Sequence, residues 1–192
     1  MSPFDPNAYG PTFAALLSID RNRALDAGHP DRGARAQLNQ LTLEPAFAHT
    51  NIRDADMARC CLAAVWLLHD ELDESHQISQ AIDTPTGSYW HAIMHRREGD
   101  FSNAKYWLRR VGHHEVFESL GQLILGRMGS PRSGNPSTHL AAIVPNGQFD
   151  PYAFTNAVQS ALGAGGDAEA LCRQIQQFEC ELLFHHCYAA AL

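Results

Sequence analysis

Six of the chain's 11 histidines lie within residues 69–114, together with its sole lysine, Lys105, in a sequence of 192 residues. Among them, His91, His95 and Glu98 follow one another at positions i, i+4 and i+7. On a helix this spacing places all three side chains in one line. Imidazole and carboxylate groups are ligands of divalent metals, so the spacing predicts a metal site for Zn²⁺, Fe²⁺ or Mn²⁺.

A second set of the same kind lies upstream. His69, Asp73 and His76 share one helical face if a single helix runs through them. Two facing helices that carry the two sets would form a mixed histidine and carboxylate site. The same groups also suit general acid–base chemistry, because a carboxylate orients and tunes a neighbouring imidazole. The alternatives without function are a solvated helix face for the first set and a hydrogen-bonded helix junction for the second.

Four basic side chains complete the candidate binding residues. Arg96 and Arg97 project from the apolar side of their helix, and a buried guanidinium requires a carboxylate partner. Lys105 and Arg109 are i, i+4 neighbours on the next helix, where two like charges destabilise each other unless an anion offsets them. Arginine and lysine both suit carboxylate or phosphate recognition. These residues predict a pocket for a small anionic ligand, with hydrolysis of that ligand as the activity; pairing with the protein's own 21 acidic residues is the alternative.

The composition argues against several classes of protein. A formal net charge of −7 argues against a nucleic-acid partner, because phosphate binding needs a basic surface. No apolar run reaches the length of about 18 residues that predicts a membrane span, and the first residues do not resemble a signal peptide. Five cysteines without a C-x-x-C pair predict reduced core thiols and a cytoplasmic location. No motif of a nucleophilic or nucleotide-binding enzyme is present.

The elements that must position these residues are helices, because apolar residues recur at helical spacing and no period-two alternation is sustained. We expect an irregular arm over residues 1–10 and a single all-α domain of about eight helices over residues 11–192, with a flexible loop at 129–139. A first helix is predicted from Pro11 to about Ala27. The helix that Asp54 caps is apolar on all sides, which predicts a central, buried helix.

One turn in this segment resembles a known repeat. Gly99, Asp100 and Phe101, followed by Ala104 and Leu108, resemble the middle of a tetratricopeptide-type repeat, in which a Gly-Asp-aromatic turn joins two helices. The resemblance implies one closely packed helical hairpin. No second copy follows at the period of about 34 residues, so a full solenoid is not expected.

The longer segment 87–112, which includes WHAIMHRREGDFSNAKYW, resembles an uncharacterised family of small all-helical microbial proteins. That family carries no established activity, so the resemblance implies no catalytic residues. Two further functions therefore stay open. In the first, the hairpin would be an interaction module that presents Lys105, Tyr106 and Arg109 to an acidic peptide. In the second, the protein would be a structural homo-oligomer with this segment at its interface.

Overall fold

The chain is built from helices. The structure, a computed structural model, describes residues 4–128 and 137–192, and within them there are 11 α-helices and no strand. Helices account for 69% of the residues and form one compact domain, which confirms the prediction of an all-α fold. The α-helices are α1 (Pro11–Leu17), α2 (Arg35–Leu38), α3 (Leu43–Ala46), α4 (Ala55–Leu68), α5 (Leu72–Ser79), α6 (Pro85–Glu98), α7 (Phe101–Val111), α8 (Val116–Met128), α9 (Ser137–Ile143), α10 (Pro151–Ala161) and α11 (Gly166–Ala191).

The helix count in these residues exceeds the predicted eight because several helices are short. Both α2 and α3 have four residues. Helix α9 begins at Ser137, inside the segment 129–139 that is predicted as a flexible loop. Residues 129–136 of that loop lie outside the described part of the chain.

The first helix ends at Leu17, so the prediction that it extends to Ala27 is wrong. The carboxylates of Asp20 and Asp26 each accept a hydrogen bond from the backbone N–H two residues ahead, at 2.9 and 3.0 Å. Such local bonds compete with helical hydrogen bonds. Gly28 then adopts a positive φ of 66°, which ends any helical continuation.

Helix α4 is the central helix of the fold. The Asp54 carboxylate caps it by accepting hydrogen bonds from the first backbone N–H groups. Every residue from Cys60 to Leu67 is buried, and α1, α3, α5, α6 and α11 surround the helix. This confirms the prediction of a central helix that is apolar on all sides.

Helix α6 is as buried as α4, although it carries many polar side chains. All residues from Thr86 to Arg97 are buried, and the helix contacts α4, α5 and α7. It ends at Gly99, whose φ of 85° is a left-handed helix end that favours glycine. The Asp100 carboxylate then caps α7 by accepting a hydrogen bond from the backbone N–H of Asn103. Helices α6 and α7 therefore form a tight hairpin.

Helix α11, with 26 residues, packs against α4, α8 and α10 and supports the N-terminal residues. The rings of Phe4 and Tyr9 are buried and lie 5.8 and 5.0 Å from the ring of Phe184. The arm predicted over residues 1–10 thus contains a 3₁₀ turn, Pro6–Tyr9, that rests on α11. In the two described ranges, neither α11 nor any other helix has the length and apolarity needed to cross a lipid bilayer.

Candidate metal centre

Three histidines from two helices meet in one cluster. His76 comes from α5, and His91 and His95 lie one turn apart on α6. One ring nitrogen of each lies within 4.8 Å of the others. Nε2 of His91 and Nε2 of His95 face each other at 3.0 Å. In the part of the chain that the structure describes, this is the sole group of three or more such side chains that converges closely enough to hold a metal ion.

His91 is the most enclosed member of the cluster. Its side chain is buried, its ring lies 4.2 Å from the Trp107 ring, and its Nδ1 lies 2.9 Å from the Ser79 hydroxyl oxygen. Burial, together with the neighbouring rings of His95 and His76, lowers the pKa of His91 to about 3. The imidazole is therefore neutral at neutral pH, as a metal ligand must be.

His95 is oriented by a carboxylate. Its Nδ1 lies 3.0 Å from an oxygen of Glu98, whose side chain is 53% exposed. Because the carboxylate is the acceptor, Nδ1 carries the proton and the Nε2 lone pair faces His91. Histidines that bind metals commonly donate their second N–H to a carboxylate in this way. Glu98, predicted as a ligand beside His91, thus contacts the outer side of His95, and the third converging nitrogen belongs to His76.

The ring nitrogens of His91 and His95 have hydrogen-bond partners without a metal. The amide nitrogen of Asn103 donates to His95 Nε2 at 3.1 Å, so that nitrogen accepts. His91 then donates from Nε2 to His95 and accepts at Nδ1 from the Ser79 hydroxyl. The Ser79 hydroxyl has a second acceptor, the carbonyl oxygen of His76 at 3.3 Å. It can therefore turn to that carbonyl and accept from His91 Nδ1, which leaves His91 Nε2 free for a metal.

The other two residues of the upstream set lie elsewhere. Helix α4 ends before His69, and the chain turns at Asp70, which has a φ of 61°, before α5 begins. His69 therefore does not share a face with His76, and its Nε2 bonds the carbonyl oxygen of Leu16 at 2.9 Å. Asp73 is exposed in the first turn of α5. The condition under which these three residues would share one face, a single helix through all of them, is not met because of the turn.

Arg96 and Arg97 are buried and paired with carboxylates, as their place on the apolar side of α6 predicts. Arg96 forms a two-pronged ion pair with Glu179 of α11, and the Tyr89 hydroxyl donates to the same carboxylate at 2.9 Å. Arg97 bonds the Asp70 carboxylate at 2.7 Å and two backbone carbonyl oxygens. Both guanidinium groups hold the fold together and are directed away from the histidine cluster.

Lys105 and Arg109 lie on a different side of α7 from the cluster. Lys105 follows Asn103 by two residues, about 200° around the helix. In the described ranges, neither cation has a carboxylate within ion-pair distance, although the Arg109 guanidinium lies 5.4 Å from the Tyr106 ring centre. Arg110, by contrast, pairs with Asp83 at 2.7 Å. The protein's own acidic residues in the described part therefore leave this cationic pair without a counter-ion.

Sequence reasoning missed three neighbours of the cluster: Ser79, Asn103 and Trp107. Ser79 lies one turn after His76 on the same helix. The other two follow a rule for hairpins, in which residues equally distant from the turn face each other. Asn103 and His95 are each four residues from Gly99, and Trp107 and His91 are each eight residues from it. That symmetry was available from the sequence once the turn at Gly99 was recognised.

The donor set of the cluster is thus the most specific guide to function that the chain offers. The resemblances to a tetratricopeptide-type hairpin and to a family of small helical microbial proteins stay predictions. Comparison with protein-family models, with curated proteins and with solved structures found no match.

Proposed function

We propose that this protein binds one zinc ion through His76, His91 and His95. The observation that carries the proposal is the convergence of three ring nitrogens within 4.8 Å, two of them already facing each other at 3.0 Å. The outer nitrogens of His91 and His95 are held by Ser79 and Glu98. Outer partners of this kind fix ring orientation and raise ligand basicity in metal sites.

The donor set favours zinc among the metals expected from the sequence. Three imidazoles suit Zn²⁺, whereas Mn²⁺ prefers oxygen donors and the common non-haem Fe²⁺ site includes a carboxylate. The nearest carboxylate, Glu98, already accepts the hydrogen bond from His95 Nδ1. The d electrons of Zn²⁺ impose no preferred coordination geometry, so Zn²⁺ tolerates a site whose ligands adjust their positions when it binds.

The spacing needs only a small adjustment. Zn–N bonds of about 2.0–2.1 Å place two ligand nitrogens about 3.3 Å apart in a tetrahedral site. The pair from His91 and His95 is close to that separation. His76 is half-buried on the eight-residue helix α5, so its ring closes towards the pair by rotating its side chain.

Three protein ligands leave one coordination position open. Structural zinc sites are closed by four protein ligands, whereas catalytic sites have three and a water or substrate in the fourth position. A zinc-bound water is a nucleophile near neutral pH, so hydrolysis of a small anionic substrate is the activity that this coordination would support.

The test is metal content and affinity. Protein stripped with a chelator and dialysed against Zn²⁺ should retain one ion per chain by elemental analysis. His91→Ala and His95→Ala should each weaken binding in calorimetric titration by more than about 100-fold, because even outer partners are worth about 10–100-fold. His113→Ala, which removes an exposed histidine outside the cluster, is the matched control and should bind like wild type. Absence of bound zinc in wild type, or full binding by the His91→Ala/His95→Ala double variant, would overturn the proposal.

The free thiols support the proposal that the protein is located in a reducing compartment such as the cytoplasm. All five cysteines are free, and four of them are buried. Burial raises the pKa of Cys172 to about 11, so its thiol stays protonated at neutral pH. None of the five cysteines belongs to the group of side chains that converges in the described residues.

A second candidate function is an interaction module, favoured by the unpaired cations on α7. Tyr106 is 47% exposed beside Arg109, and the left-handed Gly99 with the Asp100 cap suits a tetratricopeptide-type hairpin. A fluorescent polyglutamate peptide should then bind wild type and lose affinity with Lys105→Ala/Arg109→Ala. If that variant changes only the oligomeric state measured by light scattering, the homo-oligomer is the correct reading. If neither changes, the module is excluded.

A further inference from the structure

Asn103 is the one amide side chain seen to contact the metal-facing nitrogens in the described part of the chain. Its amide nitrogen lies 3.1 Å from His95 Nε2. Its backbone N–H donates to the Asp100 carboxylate at 3.0 Å, which fixes the residue in the first turn of α7. The side chain is thus held at the edge of the histidine cluster by the start of the next helix.

Metal binding would change what this amide can bond. A zinc ion on His95 Nε2 uses the lone pair that the Asn103 N–H now contacts. An N–H donor that loses its acceptor in a partly buried site is costly, so it needs a new one. An atom bound to the metal in its open fourth position would be such an acceptor.

We propose that Asn103 donates a hydrogen bond to the fourth ligand of the bound metal and thereby selects a small carboxylate at that position. The inference rests on the proposed zinc site and adds the class of ligand that completes it. Asn103 would then determine which ligand binds in the fourth position of the metal. It does not itself bind the metal.

Charge favours an anion at this position. The three ligands are neutral imidazoles, so none of them would offset the two positive charges of the metal, and the Glu98 carboxylate contacts the site through His95. An oxygen anion would satisfy both the metal and the amide donor.

The surroundings favour a small ligand. The Trp107 ring lies 4.2 Å from the His91 ring and forms an apolar wall beside the cluster. That wall suits the methyl or methylene group of a short carboxylate, whose oxygens then face the metal and Asn103. A carboxylate of the size of acetate fits this combination of one polar and one apolar side.

The experiment uses cobalt as a spectroscopic substitute for zinc and acetate as the probe. Co²⁺ in a tetrahedral site absorbs visible light, and its spectrum changes when the fourth ligand changes. Acetate should alter the spectrum of the wild-type Co²⁺ protein in a saturable manner. Asn103→Leu, which keeps the approximate shape but removes the donor, should weaken acetate binding about tenfold while the Co²⁺ affinity stays unchanged.

Two further variants make the result specific. Asn103→Ala removes the same donor without adding apolar bulk and should show the same loss, which covers a Leu variant that does not fold. Lys105→Ala removes a cation two residues away on the opposite side of α7. It should leave acetate binding unchanged if the amide, and not general positive charge, is responsible.

The outcomes separate the two proposals. If wild type does not bind Co²⁺ or Zn²⁺, the metal site itself is wrong. If it binds Co²⁺ but acetate leaves the spectrum unchanged, or if both Asn103 variants bind acetate as tightly as wild type, the metal site stands and the role of Asn103 is overturned.

Discussion

Replacing Glu179 with glutamine should destabilise the protein by about 3–5 kcal/mol, because it leaves a buried arginine without a counter-ion. The side chains of Arg96 and Glu179 are 1% and 0% exposed, and the carboxylate also accepts from the Tyr89 hydroxyl. Glutamine keeps the shape and one acceptor oxygen but removes the charge. Two unit charges about 3.3 Å apart attract by about 5 kcal/mol at an effective dielectric constant of about 20, which is consistent with this cost.

The assay is urea unfolding followed by circular dichroism and tryptophan fluorescence. The double variant Arg96→Met/Glu179→Leu removes both charges and should recover most of the lost stability, because no unpaired charge is left. Adding Tyr89→Phe removes the hydroxyl that has lost its acceptor and should recover more. The matched control is Asp83→Asn, which breaks the exposed pair with Arg110 and should cost less than about 1 kcal/mol.

Two results of this assay would refute the role of the buried charge. If Glu179→Gln costs no more than Asp83→Asn, burial does not make this ion pair indispensable. If the double variant is as unstable as Glu179→Gln alone, the loss comes from packing or from the Tyr89 hydrogen bond rather than from an uncompensated charge.

Three further predictions concern pH, metal and backbone. The pKa of His91 is lower in the folded chain, at about 3, than its ordinary value of 6.5, so the unfolded chain binds more protons between these values. His91 therefore contributes stability that is full above pH 6.5 and is lost as the pH falls towards 3, by a few kcal/mol in total and by up to about 1.4 kcal/mol per pH unit. The free energy of unfolding, measured in urea as a function of pH, should change less steeply for His91→Gln than for wild type. Equal slopes would contradict the lowered pKa of His91. Zinc at 100 times its dissociation constant should stabilise wild type by about 2.7 kcal/mol, seen as a higher melting temperature that His91→Ala lacks and His113→Ala keeps. Gly28→Ala should destabilise more than Gly163→Ala, because both have positive φ but only the Gly28 methyl group would lie 2.6 Å from the Asp70 carboxylate; equal losses in urea unfolding would mean that this contact relaxes freely.

The fold class and the pairing of two of the three converging histidines could be predicted because they depend on local patterns. Helical spacing of apolar residues identifies an all-α chain, and the i, i+4 spacing brings His91 and His95 together. The role of Glu98 was harder to predict, since spacing places it beside His95 but does not tell whether it reaches the inner or the outer ring nitrogen. In the structure it bonds the outer one.

The remaining parts depend on tertiary pairing, which leaves little local signal. The turn at Asp70 separates His69 from His76, and only the packing of α5 on α6 brings His76 to the cluster. The partner of Arg96 lies 83 residues away. The expected burial of Arg96 predicts a carboxylate partner, but the sequence does not indicate which acidic residue that partner is.

The burial of α6 has a consequence for the order of folding during synthesis. Arg96 and Tyr89 leave the ribosome long before Glu179, the carboxylate to which both bond. Until that residue arrives, placing α6 in its final position would bury a guanidinium without a counter-ion. We therefore expect the nascent chain to keep α6 accessible to water until α11 has been synthesised.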